Sequence, residues 1–96
     1  MPRRKQKQKS EVQEESKVSI LKIADIEPGV EAYEVESLST EAQRNALTVK
    51  LRGRIRDFVY GKIRDTRAKF YGNVIFFRYL DKWICIGKKE DIEKII

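Results

Sequence analysis

The sequence predicts an α+β fold: a small, β-barrel-like domain with one short helix ahead of its main strands and another at the C-terminal end. Three observations carry this expectation. Residues 49–56 alternate apolar and basic side chains with the period of a half-buried strand. Residues 73–80 (Asn-Val-Ile-Phe-Phe-Arg-Tyr-Leu) are dense in aromatic and β-branched side chains, and a turn and a second apolar run follow them, which is a hairpin pattern. The chain has 96 residues, of which 38% are charged, enough for one domain with a modest core.

Taken in order, residues 1–17 are Lys-, Gln-, Glu- and Ser-rich with almost no apolar side chains, and they read as a disordered basic tail. The folded domain is expected over 18–96. Val18 to Ile26 begins it, Pro28-Gly29 reads as a turn, and Val30 to Val35 as a short strand. Thr40-Glu41-Ala42-Gln43 has capping-box spacing, with Thr40 as N-cap, and predicts a helix of about two turns to Leu47. After the strand at 73–80, Asp81-Lys82 reads as a tight turn and Trp83 to Ile86 as the returning strand. Glu90 to Ile96 predicts a helical turn burying Ile92, Ile95 and Ile96.

The segment after the first helix decides the architecture. As a strand, it places Val49, Leu51, Gly53 and Ile55 on one side and Lys50, Arg52, Arg54 and Arg56 on the other. The rival is one helix continuing to about Phe70, with Leu47, Leu51, Ile55, Phe58, Val59 and Ile63 as its stripe. The strand is preferred, because Lys62 falls within that stripe and Gly53 and Gly61 would each weaken a helix interior by about 1 kcal/mol.

Function is suggested by where the charge sits rather than by the net +6. Residues 1–10 carry five positive charges and no negative ones, 11–47 are strongly acidic (Glu27, Glu31, Glu34 and Glu36 among them), and 48–83 carry ten cations against three anions. Lys50, Arg52, Arg54 and Arg56 on one strand face, with Lys62, Arg64, Arg67 and Lys69 after them, make a phosphate-tracking surface. Tyr60, Tyr71 and Trp83, near turns, are the candidates for stacking on bases, whereas Phe76, Phe77 and Tyr79 are expected in the core. The expectation is a non-catalytic protein binding DNA or RNA. The alternative is an accessory subunit of a larger nucleic-acid machine, such as a replication complex or ribosome, docking through the acidic stretch and the aromatic hairpin.

Catalysis is not indicated. There is no histidine, no Gly-rich phosphate loop and no metal-ligand spacing, and the one cysteine, Cys85, lies inside an apolar run. No cofactor is expected. No apolar run reaches the roughly 18 residues of a membrane span, and the basic start is not followed by an apolar segment, so a cytoplasmic protein is expected. High charge with a single cysteine also suits a thermophilic source.

Two short stretches carry a family resemblance. Lys22-Ile23-Ala24-Asp25-Ile26-Glu27-Pro28-Gly29-Val30 resembles the opening of archaeal OB-fold proteins that bind single-stranded DNA. Val49-Lys50-Leu51-Arg52-Gly53-Arg54-Ile55 is similar to the first barrel strand of many OB domains. The resemblance implies an OB-like barrel binding nucleic acid on its strand face. The sequence departs from that pattern in the helix expected between the two stretches and in the little chain left for a fifth strand. An SH3-like barrel, as in small archaeal chromatin and ribosomal proteins, is the other architecture consistent with it.

Overall fold

A computed structural model describes residues 19–63 and 67–96, with Arg67 described in its backbone alone. The tail expected over 1–17 lies outside the described residues. In chain order the elements are β1 (Ile20–Glu27), β2 (Val30–Val35), α1 (Thr40–Asn45), β3 (Leu47–Lys50), α2 (Gly53–Tyr60), β4 (Arg67–Tyr71), β5 (Val74–Tyr79), β6 (Lys82–Gly87) and α3 (Lys89–Glu93). The strands form one six-stranded sheet in the order β1-β2-β6-β5-β4-β3. Every neighbouring pair is antiparallel. The fold is therefore α+β, with β1 and β3 as the two edges of the sheet.

Pro28-Gly29 joins β1 to β2, with Gly29 at φ 81°, the order that a type II turn requires. Two register shifts along β1 mark bulges, which twist an edge strand away from further pairing. Helix α1 is capped one residue earlier than its spacing predicts. The Ser39 hydroxyl accepts from the Ala42 amide at 3.1 Å, and Gln43 Nε2 donates to the Leu38 carbonyl at 2.9 Å. This frame turns Leu38 and Ala42 into the core, and packing decides between two adjacent residues that can both cap.

The strand expected over 49–56 is corrected. Strand β3 ends at Lys50, Arg52 is extended, and Gly53 takes φ 58° as the first residue of α2. The left-handed backbone at Gly53 turns the chain out of the sheet, which a glycine permits at little cost. The single long helix fails too, because β3 interrupts it. Each alternative held part of the answer. Val49 follows the strand pattern, whereas Ile55, Phe58 and Val59 follow helical spacing and pack against the sheet. The two glycines do not weaken α2, since Gly53 opens it and Gly61 is its C-cap.

Both faces of the sheet are covered, which explains why β5 and β6 read as continuous apolar runs. On one face Tyr33, Val35, Val74, Phe76 and Cys85 pack with Leu38 and Ala42 of the α1 region and with Ile92 and Ile95 of the α3 region. On the other, Ala32, Phe77, Ile84 and Ile86 pack with Leu51 and with Val59 of α2. The expected C-terminal helical turn over Glu90 to Ile96 is the shorter α3, and of its three isoleucines Ile92 and Ile95 are buried while Ile96, beyond the helix, is half-buried. Phe76 and Phe77 are core and Tyr79 is half-buried, packed against the α2 side. No helix among the described residues is long and apolar enough to cross a membrane.

Candidate functional site

Splitting residues 49–56 between a strand and a helix redistributes the expected cations. Lys50 stays on β3, two residues along from Thr48 and so on the same side of the sheet. Arg52 is the exposed residue at the α2 N-terminus. Arg54 and Arg56 lie on α2, across the sheet from Thr48. Arg54 shares surface grooves with Asp25, Asp57, Glu27 and Glu31, with none of them in ion-pair distance. The Arg56 guanidinium is 6.0 Å from the Tyr60 ring centroid, and Lys62 Nζ lies 4.6 Å over Phe58 and 5.9 Å from Tyr79. Arg64 is outside the described residues, and Arg67 is placed only as the backbone partner of Lys50. The four cations at 50, 52, 54 and 56 therefore do not form one face.

A different cluster is brought together on the α1 side of the sheet. There, an open groove of about 470 Å³ is lined by Gln43, Thr48, Lys69, Phe76, Arg78 and Trp83. Strand pairing builds it: Thr48 lies opposite Lys69, Lys69 opposite Phe76, and Arg78 opposite Trp83. Thr48 accepts a hydrogen bond from Lys69 Nζ at 3.0 Å, and the Arg78 guanidinium carbon sits 5.2 Å from the Trp83 ring centroid. Trp83 in turn meets Phe76 edge-on, with centroids 5.6 Å apart and planes at 78°. Lys69 and Arg78 are diagonal neighbours across β4 and β5, on the order of 7 Å apart by sheet geometry.

The described ion pairs lie elsewhere: Lys22 with Asp25 at 2.7 Å and Glu31 at 4.0 Å, and Lys94 with Asp91 at 3.8 Å. Among the described residues, no carboxylate is within ion-pair distance of Lys50, Lys69 or Arg78. Lys69 and Arg78 are thus oriented by neutral groups, and their charge is left facing solvent in a concave site.

The stacking candidates divide. Trp83 is half-buried beneath Arg78 in the groove. Tyr60 is 64% exposed on the α2 side. Tyr71 donates its hydroxyl to Glu41 Oε2 at 2.8 Å and packs against the α1–α3 core, so it ties β4 to α1. That bond raises the Tyr71 pKa above the ordinary tyrosine value. Cys85 is buried, and loss of solvation pushes its thiol up to about 12, which keeps it protonated and unreactive near neutral pH. No cluster of three or more His, Cys, Asp or Glu side chains that could hold a metal occurs among the described residues.

Sequence reasoning missed Arg78, Thr48 and Gln43. The signal for Arg78 was present: it is the one cation inside the apolar run 74–80. A turn at Asp81-Lys82 would set Arg78 opposite Cys85. The observed loop is Leu80-Asp81, with Tyr79 paired to Lys82, and this one-residue shift places Arg78 opposite Trp83. No family model, curated protein or solved structure matches this chain.

Proposed function

We propose that this chain is a non-catalytic nucleic-acid-binding protein, with its primary contact surface in the groove over β3, β4, β5 and β6. The observation that supports this most directly is the pairing of Lys69 with Thr48 and of Arg78 with Trp83: two cations held in position by neutral groups, with no ion pair among the described residues. An anion entering the groove meets oriented donors, and no carboxylate lines it among the described residues. Phosphate is the anion that recurs along a chain, and Lys50 extends the basic surface along β3. A closed OB-like or SH3-like barrel would need β1 and β3 to come together. The functional reading does not depend on closure, because the pairing of β3, β4, β5 and β6 already builds the groove in the open sheet.

The test is a salt titration of affinity for a short DNA or RNA. Three phosphate contacts imply a drop of roughly tenfold or more between about 50 and 200 mM salt, because bound counterions are released. Affinity that stays flat over that range rules the reading out.

One observation favours the second reading, a subunit docked in a larger nucleic-acid assembly. Leu47 and Phe70 face each other across β3 and β4 with 67% and 36% of their surface exposed, on the side away from the groove. That reading predicts weak nucleic-acid binding by the isolated chain. It also predicts co-purification with a large assembly that survives nuclease treatment.

A further inference from the structure

Resting on the nucleic-acid reading, we infer that the groove is a subsite for an unpaired nucleotide, with the base stacked on the Arg78 guanidinium and the adjoining phosphate on Lys69. Three features of the site point to this ligand. Trp83 supports Arg78 from beneath at 5.2 Å, and Phe76 holds Trp83 edge-on at 5.6 Å, so the exposed guanidinium is the outermost member of this cluster and faces solvent. A flat cation presented in this way takes a flat π-system on its outer face. Lys69 is restrained by Thr48 at 3.0 Å, one diagonal step away across the strands, where the backbone of a stacked nucleotide would pass.

The groove, at about 470 Å³, is within the size range of small-ligand sites, and it is open enough for a strand to enter and leave. Gln43 lines its α1 wall. Its amide nitrogen donates to the Leu38 carbonyl, which leaves the amide oxygen to accept from a base N–H. A duplex cannot use this arrangement. The faces of its interior bases are occupied by their own neighbours, so away from its ends it offers phosphates to Lys69 but no π-face to Arg78.

The chain has a single tryptophan, so fluorescence excited at the red edge, where its four tyrosines absorb little, reports on this groove. The full chain is titrated with unstructured oligo-dT and oligo-U, and with a long duplex in which terminal base faces are few. Anisotropy of the labelled nucleic acid provides an independent readout of binding. The expected result is saturable Trp83 quenching by the unpaired oligomers. Arg78→Lys, which keeps the charge and loses the plane, should weaken their binding roughly tenfold and leave duplex affinity unchanged. Circular dichroism of the variant checks that the fold is kept. Arg54→Ala, on the other side of the sheet, should leave the quenching intact.

If the oligomers bind by anisotropy but neither Trp83 nor Arg78→Lys responds, the strand runs elsewhere. The subsite is then wrong and the general reading stands. Equal affinity and equal quenching with the duplex also overturns the subsite. If anisotropy shows no binding of either form even at low salt, the nucleic-acid reading fails and the subsite falls with it.

Discussion

On the β1–β2 side of the sheet, Lys22 lies against Asp25 and Glu31, and Glu31 also accepts the Tyr33 hydroxyl at 2.7 Å. On the β4–β5 side, Lys69 is held by a threonine and Arg78 by a tryptophan. Each region restrains its cations, by different means. Ion pairs cancel the field and, being exposed, add little stability. Neutral partners fix geometry and leave the field intact. The acidic and basic stretches of the sequence thus become the two halves of one sheet, and in the basic half Lys69 and Arg78 are oriented with no ion pair among the described residues. The turns differ as well: β1–β2 turns on Pro28-Gly29, whereas β5–β6 turns on Leu80-Asp81 with Leu80 at φ 58° and 81% exposed.

The largest expected effect comes from removing what lies beneath the basic half. Phe76 is 1% exposed, is part of the α1–α3 core and supports Trp83. Phe76→Ala should destabilise the domain by about 3–5 kcal/mol in chemical denaturation, through lost burial and a cavity. A loss under about 1 kcal/mol would mean that this core is not packed as described.

The electrostatic contrast is tested by paired variants. Lys69→Ala combined with Arg78→Ala should weaken nucleic-acid affinity about tenfold or more and reduce the salt slope by about 2, whereas Lys22→Ala should change neither. Equal effects from the two sides would reduce the contrast to net charge alone.

The turn contrast predicts a gain. A left-handed leucine costs roughly 1 kcal/mol, so Leu80→Asn, at an exposed position that tolerates this backbone, should raise stability by about that amount. A thermal shift downward would show that the Leu80 side chain makes a contact of value.

The smallest effect is at high pH. The hydrogen bond to Glu31 raises the Tyr33 pKa, and the Asp25 contact raises that of Lys22. Both folded values lie above the unfolded ones. Their contribution to stability is therefore complete below the ordinary values of 10.0 and 10.5 and is lost as pH rises through the raised ones. Glu31→Gln should lower the Tyr33 midpoint when the ring is followed individually by NMR among the four tyrosines. An unchanged midpoint would mean that the bond is not made in solution.

Local chemistry in the sequence determined a good deal. Pro28-Gly29, the run 74–79 and the isoleucines of the last helix each had one satisfactory outcome, because turn geometry, strand packing and helical spacing all act within a few residues. Charge segregation was legible too, since it needs only composition along the chain. What only the tertiary structure decided was where the chain leaves the sheet after Leu51 and which residue begins the β5–β6 loop. At the first position two periodicities overlap, and the choice falls to the apolar face of the sheet that α2 must cover. At the second, a one-residue shift moves Arg78 from Cys85 to Trp83 without altering the hydrophobic pattern. The basic face expected on residues 50–56 was lost to the first of these decisions. The groove around Arg78 and Lys69 owes its existence to the second, because cross-strand neighbours are set by pairing register, which the order of residues along one strand does not contain.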